Sequence, residues 1–548
     1  MRKRAILTYT FMLLTALLLT ECNEPFKNKI QRKPKLVIGI VVDQMRYDYL
    51  KRYFSKYGDG GFKRLLKDGF SCNDAEYNYV PTYTAPGHTS IYTGTTPCIH
   101  GLIANEWYDR DLHKMIYCTE DTAVKPVGCS TAAGMMSPRR ELTTTIGDEL
   151  KLSDNGQSKV IGISQKDRAS ILPAGHSANA AYWLDDNSGN WITSSYYMKD
   201  LPDWVKNFNS QGLAKKYLSQ AWNTLLPIEE YTESMKDDNP YEGLFVGEKS
   251  PVFPHELPAL MSQNGGFGLI KETPFGNDLT TDFAIETIKD EKLGKGSATD
   301  MLTISYSSTD YVGHRYGTDA IETEDTYLRL DRDLSNLLTF VDDYVGKNNV
   351  LIFLTADHGA AINAKELEDQ HIPAGDIESA AITSSIKVFL LKKYGSDLLA
   401  EFTNQQCYLD RNKIAEKGLN MDSVEEETAT FLSHYKGVER AIPAYRLNDA
   451  GNDFIVRKIR NGYMPGRSGD VIINLLPEYM VYGKTGTTHG APYIYDCHVP
   501  MIFYGYTVPK GSNEAEEPIT NLAPTISYLL GISYPDGCSG HPVNFIKQ

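Results

Sequence analysis

Four short, uninterrupted apolar runs, each followed closely by a residue able to do chemistry, constrain this sequence more than anything else in it. Leu36-Val37-Ile38-Gly39-Ile40-Val41-Val42, Lys159-Val160-Ile161-Gly162-Ile163, Met301-Leu302-Thr303-Ile304-Ser305 and Val350-Leu351-Ile352-Phe353-Leu354 show no polar alternation. Runs this short, rich in branched aliphatic residues, fit strands covered on both faces, the pattern of a parallel sheet. Ile386-Lys387-Val388-Phe389-Leu390-Leu391, Val471-Ile472-Ile473 and Met501-Ile502-Phe503 are read as further strands of the series. Between them, residues 326–344 carry Leu328, Leu330, Leu334, Leu337, Leu338 and Val341 among charges, at helical spacing. The expected fold is therefore α/β, a mainly parallel central sheet with helices on both faces. Two excursions, about 186–300 and 395–465, are read as long insertions on one core, because strands resume after each.

The N-terminus is expected to be a targeting segment. Arg2, Lys3 and Arg4 precede an apolar run to Leu19, so residues 1–21 read as an export signal too short to span a membrane. Residues 22–35 read as a polar linker, and residues 36–548 as one domain with its insertions. Cys22 stands where a lipoprotein anchor would begin, although Glu21 is not the small residue such a cleavage site prefers. The product is expected outside the cytoplasm, periplasmic or anchored at the outer membrane through Cys22. Cys72, Cys98, Cys118, Cys129, Cys407, Cys497 and Cys538 then meet a compartment that allows disulfides, with Cys118 and Cys129 close enough in sequence to pair. Lys and Arg number 55 against 70 Asp and Glu, a net charge of −15. That balance argues against tracking a nucleic-acid backbone, but a local cation can still receive an anionic substrate.

The residues after the apolar runs suggest what the site does. Asp43 ends the first run; Lys166 and Arg168 follow the second, Asp310 and His314 the third, and Asp357-His358 the fourth. Any one of these is ordinarily a helix cap or turn residue. In open α/β sheets, however, ligands bind beyond the carboxyl ends of the strands, where all four would meet. Asp310 and His314 share a face if their segment is helical, and His489 adds a further imidazole. Asp and His ligands without Cys suit zinc in a catalytic role, and two groups would hold two ions. The other histidines, His88 and His255 among them, have no such company and are read as structural or solvated. Thr84, just before Pro86, has the position of a helix cap, and a helix N-terminus also receives phosphate. A zinc-bound Thr84 hydroxyl would be an activated nucleophile. Lys166 and Arg168, read as an extended pair, would point to the same side. Gly483-Lys484-Thr485 imitates a phosphate-binding loop but has Glu478 where the required glycine would stand.

These residues resemble the alkaline phosphatase superfamily, and most closely its PafA-type phosphate-irrepressible alkaline phosphatases. The resemblance runs from about Leu36 to the C-terminus. It is carried by Val42-Asp43-Gln44, Thr84-Ala85-Pro86-Gly87-His88, Lys166-Asp167-Arg168, Asp310-Tyr311-Val312-Gly313-His314, Ala356-Asp357-His358-Gly359 and Thr488-His489-Gly490. It implies one zinc held by Asp310, His314 and His489, and a second held by Asp43, Asp357, His358 and the Thr84 oxygen. It further implies Asn105, Lys166 and Arg168 on phosphoryl oxygens, a phospho-threonine intermediate, and small phosphate monoesters as substrates of a monomeric enzyme.

Three rivals are weighed beside it. A sulfatase needs Cys or Ser in a Cys/Ser-x-Pro-x-Arg pattern, and this chain has Thr84-Ala85-Pro86-Gly87. A nucleotide pyrophosphatase/phosphodiesterase of the same superfamily shares both metals and the threonine, but its usual motif has Asn at the place of Gly87 and lacks the Lys/Arg pair. A non-catalytic zinc- or glycan-binding surface protein would rest on Trp183, Trp191, Trp204 and Trp222, which are expected to be packed instead.

Overall fold

The computed structural model describes residues 33–547. The export segment, Cys22 and most of the linker lie outside the described residues. A ten-stranded sheet forms the centre, in the order Gly511–Pro518, Phe70–Glu76, His498–Gly505, Val350–Thr355, Leu36–Val42, Asp300–Tyr306, Val160–Ser164, Ala180–Leu184, Trp191–Ser194 and Pro126–Val127. The five strands from Val350–Thr355 to Ala180–Leu184 run parallel, while His498–Gly505 is antiparallel to both its neighbours. Every residue of Leu36–Val42, Asp300–Tyr306 and Val350–Thr355 is buried, as strands covered on both faces must be. Helices Thr84–Thr93, Asp167–Ala174, Phe275–Asp290, Ser308–Tyr316 and Ile321–Tyr344 supply much of the cover. The last contains the predicted 326–344 helix and buries Leu330, Leu334, Leu337, Leu338 and Val341.

Two of the expected strands turn out differently. Residues 386–391 lie inside helix Ser379–Tyr394, which buries Ile382, Ile386 and Leu390. A four-residue spacing is one helix face, and Val388 and Leu391, at 64 % and 54 % exposed, lie off it. Val471–Leu475 is a strand, but it belongs to a separate antiparallel sheet ordered Leu399–Thr403, Gln406–Leu409, Val471–Leu475 and Val438–Pro443. That sheet shares a second apolar core with helices Ser379–Tyr394 and Met421–Leu432. Within 186–300, Trp191–Ser194 joins the main sheet and Phe275–Asp290 packs against it. Trp183, Trp191 and Trp222 are buried, and Trp191 stacks on Phe283. The cysteines from Cys72 to Cys538 are all free. Cys118 and Cys129, close enough in sequence to pair, lie in different clusters: Cys118 packs with Trp107 and Leu172, and Cys129 with Trp183 and Ile192.

Candidate active site and metal centre

Four strands that are neighbours in the sheet, Val350–Thr355, Leu36–Val42, Asp300–Tyr306 and Val160–Ser164, end side by side. Parallel pairing therefore brings Asp357 and His358, Asp43, Asp310 and Lys166 to one place. Helix Ser308–Tyr316 starts right after its strand and presents Asp310 and His314 on one face, with His314 Nε2 3.2 Å from Asp310 Oδ1. His489 arrives from a distant loop, its Nε2 3.7 Å from the same oxygen. His358 Nε2 lies 3.6 Å from Asp43 Oδ1 and 3.5 Å from Asp357 Oδ2. Asp310, His314 and His489 thus form one compact donor group; Asp43 and His358 form a second in which Asp310 also takes part. The rings of His358 and His489 stack with centroids 3.4 Å apart, so the two groups adjoin.

The donor chemistry fits a bound metal cation. Asp43 Oδ1, Asp357 Oδ2 and His358 Nε2 are buried and engaged by no hydrogen bond. Each imidazole of the two donor groups is oriented through its Nδ1: His314 on Thr487 O at 2.8 Å, His489 on Thr82 O at 2.6 Å, and His358 on Gly359 O at 3.0 Å. That pattern fixes each ring and leaves Nε2 as the inward atom, in the way a second hydrogen bond orients a metal-binding histidine. The carboxylates repel one another. Burial, then Asp310 and Asp357, push the Asp43 carboxyl well above its ordinary range. Burial acts the same way on Asp310, but His314 and Lys166 outweigh it and hold this carboxyl well below that range. Burial and the neighbouring His358 and His314 depress His489, so its ring is neutral and a competent ligand.

Thr84 is the first residue of helix Thr84–Thr93, with Tyr83 in the capping position, so the predicted cap is displaced by one residue. It is 1 % exposed. Asn105 Oδ1 accepts from Ala85 N at 2.8 Å, which ties this side chain to the start of the helix. Lys166 caps helix Asp167–Ala174 and Arg168 lies in its first turn, so the pair is not an extended one. Lys166 Nζ donates to Asp43 Oδ2 at 2.6 Å and Asp310 Oδ2 at 2.5 Å, between the two donor groups. Arg168 Nη1 donates to the Tyr117 hydroxyl at 2.9 Å.

Several residues at the site were not singled out from sequence. His88, read as structural, is fully buried; its Nδ1 lies 2.9 Å from Thr84 O and 3.2 Å from Asp357 Oδ2, and its Nε2 2.9 Å from Ser305 Oγ. Its four-residue spacing from Thr84 on a helix was the available signal. Gln44 Nε2 donates to Asp310 Oδ1 at 2.7 Å and Gln44 N to Asp357 Oδ1 at 3.1 Å, so it bridges these two carboxylates. Asp496 Oδ2 accepts from Gly490 N and Ala491 N at 2.8 and 2.7 Å, steadying the turn after His489. Nothing local in sequence marks Asp496 or Tyr117.

Residues 37–498 match the Type I phosphodiesterase / nucleotide pyrophosphatase family. The chain belongs to that family, within the alkaline phosphatase superfamily. Among superfamily relatives, it is 45 % identical over 515 residues to alkaline phosphatase PafA of Elizabethkingia meningoseptica, covering 93 % of this chain and 94 % of that protein. It is 46 % identical over 517 residues to a Myroides odoratus protein named calcium-transporting ATPase, with coverage of 93 % and 94 %. The crystal structure of wild-type alkaline phosphatase PafA superimposes with a TM-score of 0.91 at 44 % identity, covering 94 % of this chain and 99 % of that one. The alkaline phosphatase-like sheet expected from sequence is thereby shown, and the chain is an enzyme of the alkaline phosphatase type.

Proposed function

We propose that this protein is an exported, zinc-dependent, monomeric alkaline phosphatase that hydrolyses small phosphate monoesters through a phospho-threonine at Thr84. The observation that carries the reading is the meeting of two Asp/His donor groups at Asp310, with Lys166 between them and Asn105 tied to the helix that begins at Thr84. Asp310, His314 and His489 would hold one zinc; Asp43, Asp357, His358 and the Thr84 oxygen would hold the other. When bound, the pair would supply Lewis acidity to the attacking and leaving oxygens. The Thr84 hydroxyl gives up its proton to solvent and its oxygen attacks phosphorus as the bond to the leaving alkoxide breaks, and the alkoxide takes a proton from water to depart as the alcohol. Water then cleaves the Thr84 ester and phosphate leaves. Asn105 spends Oδ1 on Ala85 N and keeps its amide nitrogen for a phosphoryl oxygen. The Lys166 ammonium and the Arg168 fork hold the remaining phosphoryl charge, an arrangement suited to the dianion of a monoester.

The family's name includes phosphodiesterases, and a diester would bring one charge and a second ester group into the same space. Lys166 and Arg168 favour the monoester on both counts. The names of the Myroides and Elizabethkingia proteins share phosphoryl transfer, and that shared chemistry is what the site geometry supports. No helix among the described residues is long and apolar enough to cross a membrane. Export is supported by the basic and then apolar residues 1–21. One purified sample assayed on an aryl phosphate monoester, a diester and a sulfate ester tests the reading. Preference for the monoester is expected; a higher kcat/KM for the diester overturns it.

A further inference from the structure

Arg168 does not stand alone in the first turn of its helix. The Tyr117 hydroxyl that accepts from Arg168 Nη1 at 2.9 Å itself donates to Asp167 Oδ1 at 2.6 Å. The same carboxylate oxygen accepts from Arg168 N at 2.7 Å, and Thr119 Oγ1 donates to Asp167 Oδ2 at 3.2 Å. Burial keeps the Tyr117 phenol well above its ordinary range, so the hydroxyl is protonated and can donate to Asp167 while it accepts from Arg168. One side of the guanidinium is thereby occupied. On the other, Arg168 Nε is buried with no hydrogen-bond partner. A guanidinium offers its donors in a rigid planar fork, so holding Nη1 dictates where the Nε edge points.

The chain that carries Tyr117 is also the chain that carries Asn105. Tyr117 ends strand Lys114–Tyr117, which pairs antiparallel with Glu106–Asp109. At the open end of this hairpin Cys118 N donates to Asn105 O at 2.9 Å, and Asn105 Oδ1 in turn accepts from Ala85 N. One short hairpin thus fastens Asn105 to the helix of Thr84 on one side and Arg168 to Tyr117 on the other.

We propose that Tyr117 is a positioning residue that clamps Arg168 with its Nε edge toward the phosphoryl group, and so helps to set the preference for monoesters over diesters. The inference rests on the monoesterase reading above. Tyr117→Phe keeps the ring and removes only the hydroxyl. It should lower kcat/KM for an aryl monoester about tenfold, the scale of one hydrogen bond to a charged group, and weaken inhibition by inorganic phosphate by a similar factor. Diester turnover should change less than about twofold, because one phosphoryl oxygen fewer needs the fork. In an Arg168→Ala background Tyr117→Phe should have no further effect, since its action runs through the guanidinium. Equal losses on both substrates, or additive losses in the double variant, overturn the clamp and leave Tyr117 a packing residue. If Arg168→Ala lowers the monoester preference but Tyr117→Phe is silent, this inference alone falls. If Arg168→Ala leaves the preference intact, the fork does not set it and the role of Tyr117 falls, whereas the monoesterase reading falls only if the wild type turns over the diester with the higher kcat/KM.

Discussion

Gly87 and Asp357 meet backbone to backbone: a Cβ on Gly87 would lie 2.7 Å from Asp357 Cβ and 3.0 Å from its carbonyl carbon. The helix that begins at Thr84 can approach the Asp357-His358 loop this closely only because residue 87 has no side chain. Gly87→Ala should push helix and loop apart. A destabilisation of about 1–3 kcal/mol is expected from the overpacking, together with loss of turnover. Thermal melting and monoester kcat, measured side by side, check this; unchanged values for both would mean that the contact relaxes without consequence.

Thr84→Ala should leave the fold and metal content intact and lower turnover on the order of a thousandfold or more, as removal of a nucleophile does. Acid quenching of the wild-type enzyme during turnover should trap phosphate on the peptide that contains Thr84. Trapping on any other residue contradicts the assignment.

Elemental analysis should find about two zinc ions per chain, given the two adjoining donor groups. Chelation should abolish activity and zinc should restore it. Full activity of metal-free protein, or restoration by magnesium alone, contradicts the site.

Replacing Lys166 and Arg168 together by alanine should cost monoester turnover about 2–4 kcal/mol per lost transition-state donor. Diester turnover should fall much less, so the ratio of the two should narrow. Equal losses on both substrates would favour a structural role for the pair. A drop in zinc content would show that Lys166 acts mainly through Asp43 and Asp310, to which it donates.

His255 provides a pH dependence remote from the metal ligands. Its Nδ1 lies 2.7 Å from Glu248 Oε1 and its Nε2 3.1 Å from Glu322 Oε1. Burial depresses this imidazole, but the two carboxylates outweigh it and raise it to about 9. Because the value is raised above the ~6.5 of an unfolded histidine, the proton stabilises the fold fully below that value. The contribution is lost as pH rises through about 9. The melting temperature should therefore fall more steeply between neutral and strongly alkaline pH in the wild type than in His255→Gln. Parallel slopes would contradict the assignment.

Most of the candidate metal-binding residues were legible in the sequence because they lie close after an apolar run, and proximity along the chain is local information. Asp43, Asp310, Asp357 and His358 could be picked out in this way, and Asp310 and His314 also by helical spacing. The contacts of His88 with Asp357 and Ser305 were not legible, because both partners are far away in the chain and only the fold brings them to its ring. Residues 386–391 were misread because a six-residue apolar run suits either a strand or one side of a helix; the burial of Ile382, Ile386 and Leu390 decides for the helix. Val471-Ile472-Ile473 has the composition of a strand and is one, but composition does not say which sheet a strand will join.

By itself the sequence determined the strands buried on both faces and the Asp, His and Lys residues delivered at their ends. These depend on hydrophobic periodicity and on neighbours in the chain. Only the tertiary structure decided the strand order that puts Asp43 between Asp310 and Asp357, the arrival of His489, the insertion of Lys166 between the donor groups, and the grip of Tyr117 on Arg168. Each of these is a contact between residues tens or hundreds of positions apart. Such contacts form because burying the apolar runs leaves one workable packing, and the polar side chains at the strand ends must then satisfy one another where that packing leaves them.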